Sequence, residues 1–543
     1  MKVSGKIIDL HNRRIFAGEV TVSDGIITTV EAADFVPDLY IMPGLVDAHV
    51  HIESSMVTPS HFAVAAVKHG TVATVSDPHE IANVLGLEGV YFMLQNAESV
   101  PVRFSFGAPS CVPATAFESS GAVIGPEEIK ELLNDKRINY LAEMMNFPGV
   151  IHNDPGVMSK LKIAHDAGVV IDGHAPGLSG TDLGKYAAAG ISTDHECSTL
   201  QEAEEKLSLG MKILIREGSA AKNLDTLAPL LKSHPGMVML CSDDLHPEML
   251  EKGHINLLVA RLINRGYDLF DVLRAATVNA VNHYGLDTGL LRKGDRADFI
   301  VVEDLHTMKV RKTWIEGNQV YDGDRTLFGP GIVRKINNFN CNRILPREIM
   351  VKNTGSAMRV ITALNGELLT GCAIAATGKR EFVESRPEED ILKIVVKERY
   401  NDKPPSTGFI RGFSLKHGAM ATSVAHDSHN IIAVGVKDRD IAEAVNLVVD
   451  AGGGMAVVTE NETEILRLPV AGIMSDMPVP AVAASYLRLT EKVKGMGCTL
   501  DAPFMTLSFM ALLVIPELKL SDMGLFDGKE FRFVPLITEN PVT

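Results

Sequence analysis

From about residue 43 to 284, short apolar runs alternate with stretches whose apolar residues recur at helical spacing. The runs at 45–51, 71–76, 102–107, 139–144, 169–173, 190–194, 211–215 and 237–242 read as buried strands. Segments 126–134, 157–167, 199–208 and 247–265 read as amphipathic helices between them. Eight β–α repeats of this size predict an α/β fold of the (β/α)8, TIM-like class, whose chemistry collects at the C-terminal ends of the strands. An open doubly wound sheet is the competing arrangement, but no GxGxxG follows the first strand. A helix over 268–284 closes the predicted barrel domain, 43–294.

The flanks have a different rhythm. Residues 1–42 alternate as short strands, with Asp24-Gly25 between two of them as a hairpin turn. Short strands return over 295–330, so a small β domain is predicted from both flanks, 1–42 and 295–336. After a linker at 337–346, residues 347–543 read as a C-terminal α/β domain with an amphipathic helix at 438–450. Gly452-Gly453-Gly454 reads as a turn, because neither a helix pattern nor the lysine of a phosphate loop follows it.

Composition narrows the class. Of the 543 residues 46% are hydrophobic and 22% charged, ordinary proportions for a soluble globular protein. A net charge of −16 speaks against nucleic acid or an anionic membrane as the main partner. Six scattered cysteines without a CxxC predict reduced thiols and a cytoplasmic location. The N-terminal residues are charged and strand-like, unlike a signal peptide. The longest apolar run, near 504–515, contains Thr506 and Ser508 and is too short to span a membrane.

The polar residues at the predicted strand ends carry the chemistry. Strand 1 ends in His49-x-His51, and residues two apart on a strand share a face, so both imidazoles can serve one metal. Strand 2 ends in Asp77-Pro-His79-Glu80, strand 4 carries Glu143, and strand 5 ends in His174. Strand 6 ends in Asp194-His195-Glu196 and strand 8 in Ser242-Asp243-Asp244. Each alone could be a capping acid or a loop histidine. Together, four histidines, a bridging carboxylate and a terminal aspartate make a ligand set for two divalent metals sharing a hydroxide.

The sequence resembles the amidohydrolase superfamily and, within it, the adenine deaminase family. The resemblance rests on PGLVDAHVHIESS at 43–55, SDPHEIANV at 76–84, LAEMMNFPGVI at 141–151, DGHAPGL at 172–178, STDHE at 192–196 and CSDDLHP at 241–247. GLLRKGDRADFIVVED at 289–304, HDSHN at 426–430 and DAGGGMAV at 450–457 extend it over essentially the whole chain. Many related barrels bridge their metals with a carboxylated lysine; Glu143 stands in that place here, which points away from hydantoinases and dihydroorotases. The cytidine-deaminase type of site needs a PCxxC, and the chain has none.

The resemblance implies hydrolytic deamination of adenine to hypoxanthine and ammonia, a purine-salvage reaction, with two divalent metals per chain. Mn2+ or Fe2+ is expected, and Zn2+ also suits the donors. It assigns His49, His51, Glu143 and Asp243 to one metal and Glu143, His174 and His195 to the other, with Asp243 as general base. His79, Glu80 and Asp244 are candidates for holding the purine, and Asp77 and Glu53 for orienting histidines. Two bland readings stay open: Glu80 could cap the next helix, and Asp244 could N-cap a helix beginning near Pro247. His426 and His429 are candidates for a loop that serves the active site, with His417 nearby in sequence. A homo-oligomer, dimer or larger, is expected. The competing readings are an amidohydrolase for cyclic amides or N-acyl groups, and a non-catalytic oligomeric scaffold.

Overall fold

Strands β1 (Lys2–Asp9), β2 (Arg14–Ser23) and β3 (Ile26–Ala32) form an antiparallel meander in the computed structural model, which describes residues 1–219 and 221–539. The last residues of the predicted C-terminal domain, 540–543, lie outside the described ones. Asp24 and Gly25, at φ of 51° and 78°, turn the chain between β2 and β3. Two left-handed residues match the twist of a two-residue hairpin, and aspartate and glycine tolerate them best. Strand β4 (Tyr40–Pro43) pairs in parallel with β1 and leads into the first barrel strand.

The barrel strands are β5 (Leu45–Val50), β6 (Thr71–Ser76), β7 (Arg103–Ala108), β8 (Ile138–Met144), β9 (Val170–Gly173), β10 (Thr193–Asp194), β11 (Lys212–Arg216) and β12 (Val238–Cys241). They run parallel in two arcs, β5 to β9 and β10 to β12. The Ser192 N–H donates to the Ile171 carbonyl at 2.9 Å, which joins the arcs. The Asp243 N–H donates to the His49 carbonyl at 2.9 Å, and the His51 N–H returns a 3.4 Å bond to Asp243, which ties the eighth strand back to the first. The result is the TIM-like α/β architecture that the repeat pattern predicts. Every residue of β5, β6 and β12 is buried, as expected for parallel strands covered on both faces, although β5 carries Asp47 and His49 and β6 carries two threonines and a serine.

Two predicted helices are broken. The segment 268–284 folds as Leu269–Ala275 and Val278–Tyr284. Between them Thr277 leaves the helical region, and the Ala276 carbonyl accepts from the Val46 N–H of β5 at 2.8 Å. The segment 247–265 folds as Pro247–Leu250 and Ile255–Asn264, interrupted at Gly253-His254. Burial lifts the Glu248 carboxyl of the first piece from 4.5 to about 7. The folded chain therefore holds a proton there that the unfolded chain releases, and stability falls as pH rises from about 4.5 to about 7. Glu248→Gln is expected to be more stable than the native chain at pH 8 by about 1–3 kcal/mol. In urea titrations at several pH values the difference should shrink toward pH 4.5.

After the barrel, β13 (Phe299–Val302), β14 (Val310–Ile315) and β15 (Asn318–Tyr321) join the N-terminal strands in one seven-stranded sheet, ordered β15-β14-β13-β4-β1-β2-β3. Its core packs Ile7, Val20, Ile27 and Ile41 with Phe299 and Trp314, whose rings stack at 4.8 Å. These elements lie in one compact unit, Met1–His79 with Val90–Cys111 and Ile124–Val333.

The second unit takes the chain from Arg334 onward together with two excursions from the barrel sequence, Glu80–Gly89 and Val112–Val123. Its main sheet runs Thr370–Ala376, Ala357–Ala363, Ser406–Arg411, Leu392–Lys397, Ile431–Gly435, Ala419–Thr422, Gly454–Val458 and Thr463–Arg467 in spatial order. Helix Asp438–Ala451 buries Ile441, Ala444, Val445 and Val448 against that sheet. Gly452, Gly453 and Gly454 all have positive φ and end the helix, and a Cβ at Gly453 would lie 2.3 Å from the Gly472 Cα. The glycines are a tight turn. Among the described residues no helix is long and apolar enough to cross a membrane.

Candidate metal centre

The barrel delivers its polar residues to one rim. His49 lies near the end of β5 and His51 directly follows it, Asp77 follows β6, Glu143 is near the end of β8, His174 follows β9 and His195 follows β10. Arg216 is the last residue of β11, and Asp243 and Asp244 follow β12. His79 opens the helix His79–Leu85. Glu143 and Asp243 are buried with all the histidines except His174, which is only slightly exposed.

The ring nitrogens converge. His49 Nε2 and His51 Nε2 lie 3.2 Å apart, and the rings of His49 and His195 stack at 4.2 Å. His51 Nδ1 lies 3.2 Å from the Asp77 carbonyl. A carbonyl only accepts, so this nitrogen carries the proton and the Nε2 lone pair faces the cluster. Asp243 Oδ1 lies 3.5 Å from His49 Nε2 and 3.3 Å from His51 Nε2.

Glu143 divides its two oxygens between two groups of histidines. Oε1 faces His51 at 3.5 Å and His79 Nδ1 at 3.4 Å, whereas Oε2 faces His174 Nδ1 at 2.8 Å and His195 Nε2 at 3.2 Å. Burial opposes ionisation of this carboxyl, but the flanking His174 and His195 outweigh it and hold its pKa well below the ordinary value. Burial also works against a charged His174, yet Glu196 and Glu143 raise it to about 9.

Ligand atoms of His51, Asp77, His79 and Glu143 can all lie within 4.8 Å of one another, as can those of His49, His195 and Asp243, and of Glu143, His174 and His195. Imidazole nitrogens gathered this closely beside two carboxylates would be held together by a shared cation, which takes imidazole in its neutral form and releases any proton it carries. The donor set, imidazole nitrogen with carboxylate oxygen, suits divalent first-row metals. The residues fit a metal.

The geometry stands beside a relationship over the whole chain. The sequence signature of the amidohydrolase family matches residues 40–320, and that of the adenine deaminase C-terminal domain matches residues 368–532. An adenine deaminase of Salinibacter ruber is 52% identical over 535 residues, 98% of this chain and 98% of its own. One from Sulfurovum sp. is 53% identical over 98% of this chain and 99% of its own, and one from Methanosarcina acetivorans 52% over 99% and 100%. The chain belongs to the adenine deaminase family.

Within this family member the remaining candidates fall into distinct surroundings. Asp77 accepts from the His79 N–H at 3.0 Å, and its other oxygen lies 3.3 Å from His79 Nδ1. Glu53 is buried in the turn Ile52–Ser55 directly after His51. Asp244 does not cap a helix: the following helix starts at Pro247 with His246 before it, and Asp244 Oδ1 accepts from the Ser54 hydroxyl. Glu80 sits in the first turn of its helix, but its carboxylate is engaged by His426 Nδ1 at 2.6 Å and by His429 Nε2.

Further residues support the rim; Asp47 and Asp194 lie within the quoted motifs, whereas Tyr186 and Lys206 lie in none. Tyr186 donates its hydroxyl to the Met144 carbonyl at 2.8 Å and accepts the His174 N–H at 3.0 Å. Asp194 accepts the N–H groups of Ala175 and Glu196, so it braces the turns that carry His174 and His195. Buried Lys206 lies 3.1 Å from Asp194 and 2.8 Å from Glu202. Asp47 accepts the Ser242 N–H at 2.9 Å and links β5 to the turn before Asp243.

Arg216 is the support closest to the cluster. Its guanidinium donates to Asp243 Oδ2 at 2.7 Å and to both oxygens of Glu196. The available signal was a single cation ending the apolar run KILIR at the catalytic end of a barrel strand. Arg216→Met leaves two buried carboxylates without their counter-ion, and a stability loss of about 3–5 kcal/mol is expected in chemical denaturation. Arg216→Lys keeps the charge without the planar fork that spans both acids, so it should fold while turnover falls about tenfold or more.

Proposed function

We propose that the protein hydrolyses adenine to hypoxanthine and ammonia, using two divalent metals, Mn2+ or Fe2+, held at the barrel rim. The observation that carries this reading is the division of the Glu143 oxygens between His51 on one side and His174 and His195 on the other. One carboxylate with donors on both sides is what a pair of metals requires, and the near-full-length likeness to adenine deaminases supports the substrate.

His49, His51, Glu143 and Asp243 would hold one metal, and Glu143, His174 and His195 the other. Bound there, the metals supply Lewis acidity, lowering the pKa of water toward neutrality and stabilising developing negative charge. The purine C6 is a weak electrophile and amide ion a poor leaving group, so the protein must also move protons. Asp243 takes a proton from the water attacking C6 and passes it to the departing exocyclic nitrogen, which leaves as ammonia. Arg216 holds Asp243 Oδ2 and thereby presents Oδ1 to the histidines. His79 and Asp244 are the residues proposed to hold the purine ring nitrogens, with Asp77 fixing His79 and the Glu53 turn supporting His51.

The test is ammonia release from adenine by metal-reconstituted protein, with cytosine, adenosine and dihydroorotate in parallel. Release from adenine alone, with hypoxanthine appearing at the same rate, is expected. Two metals bound per chain without release from adenine would overturn the substrate assignment.

A further inference from the structure

The segment joining strands Ala419–Thr422 and Ile431–Gly435 in the second unit contains His426-Asp-Ser-His429-Asn430, all buried. Five consecutive polar residues are costly to bury without strong partners. The loop is held in place from several sides. The Ser423 hydroxyl donates to the Gly472 carbonyl at 2.6 Å, the Tyr400 hydroxyl to the Ser428 carbonyl at 2.5 Å, and the Asn430 amide to the Ser119 carbonyl at 2.8 Å. His429 stands in the left-handed region at φ 54°, and its N–H closes a 2.7 Å bond to Ala425. A loop fixed this tightly presents its side chains in one arrangement.

That arrangement converges on Glu80. His426 Nδ1 lies 2.6 Å from Glu80 Oε1, and His429 Nε2 contacts Oε2. The Asp427 carboxylate can bring an oxygen within 4.8 Å of a Glu80 oxygen. The His426 ring is stacked on Phe509 at 5.1 Å, which fixes its plane. The second unit buries further acid close by: Asp427 helps burial push the Glu118 carboxyl well above its usual pKa, and Asp522 accepts from Ser119.

We propose that Glu80, His426 and His429 form a metal site of the second unit, with Asp427 as a further oxygen donor. Two imidazoles with one carboxylate select a divalent first-row transition metal such as Mn2+, Fe2+ or Zn2+ over Mg2+ or Ca2+, which prefer oxygen. Ligand atoms bound side by side at about 2.1 Å from one ion lie about 3 Å apart, so the donors need to separate by only a few tenths of an ångström. A cation there would also offset the charge of the buried Glu80 and Asp427 carboxylates. Bound metal would tie the loop to the start of the helix His79–Leu85. The site does not depend on the deaminase reading, because its readout is metal content and not turnover.

The experiment loads the full-length protein with Co(II), removes excess metal, and measures equivalents per chain with the visible absorption spectrum. His426→Gln/His429→Gln should carry one equivalent fewer than the native chain and lose one set of bands. Equal metal in the two proteins would overturn the proposal and leave Glu80 as a hydrogen-bonded acid only. Circular dichroism checks folding of the variant. Should it fail to fold, the barrel variant His174→Asn/His195→Asn provides the second measurement. Glu80→Gln placed on that background should remove one further equivalent, and no change on adding it would overturn the site.

Discussion

Glu143→Gln is expected to lose most of its bound metal and at least about a hundredfold in turnover. Removing even a partner of a metal ligand costs about 10–100-fold in affinity, and Glu143 faces the donors directly. Its Oε1 is 3.5 Å from His51 and its Oε2 is 2.8 Å from His174. An amide keeps one acceptor oxygen and replaces the other with an N–H donor that cannot bind a cation. Whichever way the amide is turned, one group of histidines loses its shared oxygen and the site loses a full negative charge. Metal analysis and steady-state assay of the same preparation check this. Native activity with native metal content would remove Glu143 from between the two groups.

Asp243→Asn should fold and yet turn over at least about a hundredfold more slowly, the scale expected for losing a general base. Asp243 has φ 54°, a region that asparagine tolerates as well as aspartate does, so the backbone bonds to His49 and His51 should survive. Arg216 keeps Glu196 as a partner, which limits the structural cost. What disappears is the carboxylate that burial disfavours but Arg216, His49 and His51 hold ionised, with its pKa well below the ordinary value. Near-native turnover in a folded, metal-loaded variant would place the base elsewhere. Turnover expressed per bound metal separates the two roles of Asp243, which is both a proposed ligand and the proposed base.

The fold class was legible because the barrel repeats its signal eight times, and an error of a residue or two in any strand leaves the count intact. The run 190–194 shows the tolerance: only Thr193–Asp194 is a strand, yet His195 still follows it at the rim. The helix over 268–284 was misread because its apolar period continues through Ala276, and nothing local announces that the Ala276 carbonyl serves the Val46 N–H of β5. The bland reading of Asp244 as a helix cap failed similarly, since that helix starts three residues later. Its actual partner is Ser54, far away in the chain.

By itself, then, the sequence determined the kind of fold, the family, and which histidines and carboxylates stand at strand ends. Those properties are written in short-range patterns: period two along a strand, the spacing of His49-x-His51, and apolar runs between polar ends. Only the tertiary structure decided how the donors are shared. It turned the Glu143 oxygens to opposite groups, brought Arg216 between Glu196 and Asp243, and placed Glu80 between His426 and His429. A side chain's partner is chosen by which distant segments burial packs together and by the need to satisfy each buried charge, and no local period encodes that choice.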